Sequence, residues 1–162
     1  MTKLWKLVAP LVAAWPLAST AIAAPPAPPF ARTPDKVVMP VQPENLKLFT
    51  EWGFAEAVVD GDRIYLSGVV AGLRSGETDQ AVAFDRAFKM IGDVLARSGS
   101  SWDGVVEMTT YHVDVTAQLD VFVAVKHRYV RAPFPPWTAI DVDRLVPDNG
   151  LVEIKVVARR KP

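Results

Sequence analysis

The sequence predicts an α+β fold, with two helices packed on one face of a single mixed β-sheet of six strands. Three observations lead to this prediction. An Asp-Gly pair separates two runs of β-forming residues near residue 60, an apolar stripe of helical period follows, and residues 151–159 alternate between apolar and polar. Taken along the chain, the elements follow the order β-β(-β)-α-β-α-β-β.

The first two strands are predicted at residues 54–59 and 63–70. Between them lies Asp60-Gly61-Asp62, a hairpin signal, because glycine adopts positive φ without steric cost. Residues 72–76 form a loop. A helix capped by Thr78 then extends to about Arg97, and its apolar residues recur on a period of 3.6. They are Phe84, Ala87, Phe88, Ile91, Val94 and Leu95.

A central strand is predicted at residues 105–115 from their content of Val, Thr and Tyr. Thr116 is predicted to cap the second helix, which extends from Ala117 to about Val130. Prolines 133, 135 and 136 end it, because proline cannot donate the hydrogen bond that a helix interior requires.

The last two strands are predicted at residues 137–143 and 151–159. In the second, Val152, Ile154, Val156 and Ala158 share the face that packs on the helices. The opposite face contains Glu153, Lys155, Val157 and Arg159. In the first, Ile140 and Val142 are assigned to the helix side, and Trp137, Ala139 and Asp141 to the side of Glu153.

The helix-free face of this sheet is too apolar to remain bare, since it has to accommodate Val157, Trp137 and valines or aromatic residues of the first hairpin. Coverage by other copies of the same chain is the simplest solution, so a homo-oligomer is expected.

The N-terminus is predicted to lie outside the folded domain. Residues 1–23 combine two early lysines, an apolar segment and Ala21-Ile22-Ala23, the pattern of a signal peptide cleaved after Ala23. We expect a periplasmic or secreted protein without stable membrane insertion; a retained anchor helix is the alternative. Residues 24–45 are rich in proline and predict an extended linker, and residues 46–162 the domain.

Composition argues against several classes of function. Lys plus Arg and Asp plus Glu both number 18, so no basic excess indicates nucleic-acid binding. The absence of cysteine excludes disulfides and thiolate chemistry, and the two histidines, His112 and His127, are far apart in sequence. No metal or cofactor site is predicted. Ser67 has no adjacent histidine and is interpreted as a strand-end hydroxyl rather than a nucleophile.

Three motifs occur in a fixed order: Ile64-Tyr65-Leu66-Ser67-Gly68, then Pro135-Pro136-Trp137-Thr138-Ala139-Ile140, then Leu151-Val152-Glu153-Ile154. With the helix, strand and helix between them, they resemble the Rid family, also called YjgF or L-PSP. The resemblance implies a chorismate-mutase-like fold and a homotrimer with small-molecule clefts where subunits meet. It also implies hydrolysis of reactive imines and enamines, as in 2-iminobutanoate/2-iminopropanoate deaminases.

The resemblance also assigns site residues. Glu153 matches the catalytic acid that positions the attacking water, and Gly68 and Ala139 match positions whose backbone meets the substrate. Phe54 stands in place of a cleft tyrosine, and Lys126 falls near a position often held by asparagine. The alternative for Glu153 is a structural ion pair with Lys155 or Arg159.

Trp137 stands where active members of the family have an arginine that binds the substrate carboxylate. An indole offers one N–H donor and a large apolar face, so specificity should be altered. The ligand is then less anionic, more apolar or aromatic, or held by another cation, for which the candidates are Lys126, Arg128, Arg131 and Arg144. The alternative to a hydrolase is a non-catalytic small-molecule-binding or chaperone-like envelope protein.

Overall fold

The computed structural model describes residues 32–161, so the predicted signal peptide and residues 24–31 of the predicted linker lie outside the described residues. Within that range the chain forms one seven-stranded sheet and three α-helices. In chain order they are β1 (Val37–Val38), α1 (Pro43–Trp52), β2 (Ala57–Asp60), β3 (Arg63–Leu66), β4 (Val69–Gly72), α2 (Gln80–Arg97), β5 (Val105–His112), α3 (Val115–Lys126), β6 (Trp137–Asp141) and β7 (Gly150–Arg159).

The sheet is mixed, which confirms the predicted α+β class. Its order is β1-β2-β3-β7-β5-β6, β4 also pairs with β7, and only the β5–β6 pairing is parallel. Helices α2 and α3 pack on one face, where the predicted apolar stripe of α2 is buried together with Val152, Ile154, Val156 and Ala158 of β7. The predicted alternation of β7 is therefore confirmed.

Both predicted helix caps are wrong by one or two residues. Helix α2 is capped by Asp79, whose Oδ1 accepts from the Ala81 N–H at 2.8 Å, and α3 by Asp114, which accepts from Ala117 at 3.0 Å. An aspartate at either site satisfies an unpaired N–H of the first turn at least as well as the neighbouring threonine. Helix α3 also ends at Lys126, earlier than predicted, and turns continue to Val130.

The predicted linker is ordered in its last part. Val37 and Val38 pair with β2, and α1 begins at Pro43. Proline is compatible with the first turn of a helix, because the N–H it lacks would have no partner there. Strand β1 adds a seventh strand to the six that were predicted. Helix α1 has no buried residue.

No helix in the described range is both long and apolar enough to span a membrane.

Candidate functional site

The sheet is irregular where β3 gives way to β4. Tyr65 pairs with Val157 and Val69 pairs with Ile154, so residues 66–68 lie opposite only two residues of β7. The segment thus has one residue more than the facing part of β7, which makes it a β-bulge. Such an irregularity redirects side chains and is common beside functional sites. The sequence predicted one continuous strand over residues 63–70. That prediction is wrong, because the pairing register with β7 shifts by one residue at this point.

The bulge brings together Gly68 and Glu153, two of the predicted site residues. A Cβ on Gly68 would overlap Oε1 of Glu153 and lie 2.6 Å from its Cδ, so the carboxylate occupies space that only glycine leaves free. Within the described range, Glu153 forms no ion pair and its side chain forms no hydrogen bond, while Arg159 pairs with Asp62 at 3.7 Å. The ion-pair alternative for Glu153 is therefore not supported by the geometry.

Glu153 lies in an open groove of about 580 Å³ on the helix-free face of the sheet. The lining includes Tyr65, Tyr111, Ser67, Gly68, Arg144 and Glu153 itself. The Ser67 hydroxyl donates to the Ala55 carbonyl at 2.6 Å, which agrees with a strand-end hydroxyl rather than a nucleophile. The groove thus combines the Glu153 carboxylate, aromatic walls and two cations, Arg144 and Lys155, neither of which forms an ion pair with Glu153.

Phe54 lies beside this groove. Its ring stacks on Phe49 of α1 with centroids 4.0 Å apart, and the side chain is partly exposed. It lines a second groove of about 460 Å³, which shares Tyr65 and Ser67 with the first. Phe54 is therefore a wall of the same surface region.

Trp137 lies on the opposite face of the sheet from Glu153. It pairs with Met108, which is buried under the helices, whereas Glu153 pairs with Tyr111 on the helix-free face. Residues paired across adjacent strands share a face, so the predicted placement of Trp137 beside Glu153 is wrong. The same register places Ala139, which pairs with the buried Thr110, on the helix side, where it is exposed at the sheet edge.

Trp137 and Lys126, both predicted site residues, are in contact. The Lys126 ammonium lies 4.5 Å from the ring centroid of Trp137 and 5.3 Å from that of Phe134. The Trp137 ring also stacks on Phe122, with centroids 5.8 Å apart. Lys126, Phe134 and Trp137 together form what we term the lysine box. Burial lowers the pKa of Lys126 from its ordinary value.

Residues 46–160 match the family described as Endoribonuclease L-PSP, which covers most of the chain. The chain belongs to this family. The RutC family protein YjgH of Escherichia coli strain K12 is 32% identical over 115 residues, 69% of this chain and 86% of that protein. This supports the Rid, or YjgF, relationship indicated by the sequence motifs.

Solved structures of the L-PSP family share the fold. A structure described as Protein YJGH has a TM-score of 0.66 and 29% identity, and the match covers 78% of this chain and 96% of that one. A YjgF/YER057c/UK114 family member from Mycobacterium tuberculosis has a TM-score of 0.65 and 20% identity, with coverages of 76% and 97%. RidA from the Antarctic bacterium Psychrobacter sp. PAMC 21119 has a TM-score of 0.59 and 23% identity, with coverages of 78% and 96%.

This L-PSP family member also contains a buried hydrogen-bond chain, which the sequence analysis missed. The Trp137 indole N–H donates to Thr110 Oγ1 at 3.0 Å, Thr110 contacts His112 Nε2 at 2.9 Å, and His112 Nδ1 contacts Gln118 Oε1 at 3.0 Å. Every donor has an acceptor if His112 is neutral with its proton on Nδ1, so that Nε2 accepts from the Thr110 hydroxyl. The sequence did contain one indication of this chain of hydrogen bonds: Thr110 and His112 are two residues apart in a predicted strand and therefore lie on the same face.

This buried chain makes stability depend on pH. Burial lowers the pKa of His112 from 6.5, although the Gln118 hydrogen bond and the charge of Asp141 act in the opposite direction. The unfolded chain therefore binds the proton more readily, and folding stability is lost as pH falls below about 6.5.

Between pH 7.5 and 5.5 we expect the wild type to lose up to about 1 kcal/mol more unfolding free energy than a His112→Gln variant. Urea denaturation at both pH values measures the difference. Equal losses in the two proteins would show that His112 does not control this response.

Within residues 32–161, no group of three or more His, Cys, Asp or Glu side chains has the arrangement of a metal site.

Proposed function

We propose that the protein hydrolyses reactive imines or enamines, with a specificity that differs from relatives having arginine at the position of Trp137. The supporting observation is Glu153, whose carboxylate lies over Gly68 in an open groove without a partner among the described residues. A carboxylate that is not engaged by a cation remains free to orient a water molecule and accept its proton.

The proposed reaction is balanced with water as the only co-reactant. The substrate nitrogen is protonated at the start, as an iminium. As the water oxygen bonds to the iminium carbon, the C=N π electrons move to nitrogen and Glu153 accepts one proton of the water, which gives a neutral carbinolamine. Glu153 then returns this proton to the amine nitrogen and the C–N bond breaks. The hydroxyl proton passes to the departing ammonia as the carbonyl forms, so the products are the carbonyl compound and ammonium, and Glu153 is regenerated as a carboxylate.

We further propose that each site is formed by two subunits of a homotrimer. The site residues form two groups on opposite faces of one subunit: Glu153 with Gly68, and Lys126 with Trp137. Because one subunit directs the two groups to opposite faces, the proposed site takes the second group from a neighbouring subunit. The exposed aromatic and aliphatic area of the helix-free face, including Tyr65 and Ile140, favours such an assembly.

Binding without turnover is the second candidate function. It is favoured by the lysine box, whose ring faces could hold a small molecule even if Glu153 activates no water. Export after cleavage behind Ala23, as predicted from the sequence, would place either function in the periplasm or outside the cell.

Ammonia release tests the proposal. An amino-acid oxidase generates the imine in situ, and the purified protein is expected to accelerate ammonia release above the rate in buffer. The double variant Trp137→Arg/Lys126→Asn, which introduces the residue types of the active relatives, is the comparison. If only this variant accelerates release, native imine hydrolysis is ruled out and the binding function is favoured.

A further inference from the structure

Lys126 is a buried cation with no counter-ion. Lys126 is only 6% exposed, yet within the described range its side chain forms no salt bridge and no hydrogen bond. Lysine is almost never this buried unless it is paired, because burial removes much of the hydration of the ammonium. The rings of Trp137 and Phe134 compensate for only part of that loss.

The other cations of the domain are either paired or exposed. Arg63, Arg131 and Lys155, for example, form no ion pair within the described range but are exposed to water, whereas the less exposed guanidinium of Arg86 contacts Glu77 at 2.8 Å. Further pairs are Lys89 with Asp85, Arg97 with Glu56, Arg128 with Asp85, Arg144 with Asp148, and Arg159 with Asp62. Lys126 thus differs from the other unpaired cations in being buried, so water compensates its charge far less, and it lies at a predicted ligand position.

We propose that Lys126 binds an anionic group of the ligand, a carboxylate in the first instance, in the lysine box beside Trp137. This deepens the proposed function and rests on it: the ligand remains anionic although the arginine is replaced. Trp137 then supplies an apolar wall against which the rest of the ligand packs. Of the specificities that the sequence left open, the structure favours the one in which another cation holds the anion.

The position of the box is consistent with this role. Phe134 is 57% exposed and Trp137 is half-buried, and the Lys126 ammonium itself reaches the protein surface, so a ligand can approach it. The hydrogen bond from the Trp137 indole to Thr110 holds one wall in a fixed orientation. A carboxylate that reaches the ammonium would form a charge-assisted hydrogen bond away from bulk water, where such bonds are strong.

A binding titration tests the proposal without requiring turnover. The probes are 2-oxobutanoate and its methyl ester, followed by ligand-observed NMR with the full-length protein. We expect the wild type to bind the carboxylate about tenfold more tightly than the ester. Lys126→Met should abolish this preference while preserving the packing of the aliphatic part of the side chain. Lys126→Arg should retain the preference.

Lys89→Met, which removes one exposed positive charge elsewhere, is the matched control and should behave like the wild type. Equal binding of acid and ester, a preference that survives in Lys126→Met, or failure of the wild type to bind 2-oxobutanoate would overturn the proposal. A Lys126-dependent preference without ammonia release would support it and reject only the hydrolytic step.

Discussion

Replacement of Glu153 by glutamine is expected to lower kcat/KM for imine hydrolysis about 100-fold or more, the usual contribution of a positioned general base. Glutamine preserves the shape of the side chain but cannot accept the proton of the attacking water. Stability should change little, because Glu153 forms no ion pair within the described range. Ammonia release and thermal unfolding, measured on the same preparation, separate the two effects.

Glu107→Gln is the matched control for this substitution. Glu107 is exposed on β5 and pairs with Val157 of β7, on the same sheet face as Glu153. Removing its charge alters the electrostatics of that face without touching the carboxylate over Gly68. The control should retain wild-type activity. Near-wild-type activity in Glu153→Gln would mean that Glu153 is not the base.

Gly68→Ala is a second way to remove the Glu153 carboxylate from the groove. The new Cβ would overlap the Glu153 carboxylate and displace it from the groove. Activity should fall by a similar factor, about 100-fold. The double variant with Glu153→Gln should be little worse than either single variant, because both remove the same interaction.

The sequence predicted the buried face correctly where the pattern within a single helix or strand is sufficient to identify it. The apolar period of α2 and the alternation of β7 are each strong enough to identify the buried face, and both agree with the structure. The caps at Asp79 and Asp114 were missed because neighbouring threonines satisfy the same pattern.

Features that depend on pairing between distant strands could not be predicted. The bulge at residues 66–68 exists only in relation to the register of β7. The face of Trp137 is set by its parallel pairing with β5, and both Trp137 and Ile140 are apolar, so alternation within β6 alone did not decide between the faces. The family resemblance assigned Gly68 and Glu153 to the same site, but it did not predict their contact.

Mixing two impaired variants tests most directly whether one site draws its residues from two subunits. Glu153→Gln lacks the base and Lys126→Met lacks the proposed anion-binding cation, so alone they should retain only about 1% and about 10% of the wild-type kcat/KM. The two variants are dissociated, mixed in equal amounts and reassembled. The mixture should regain activity, because about a quarter of the sites in random trimers join an intact Glu153 to an intact Lys126 of the neighbouring subunit. Activity in the mixture no greater than in the separate variants would contradict a site shared between subunits.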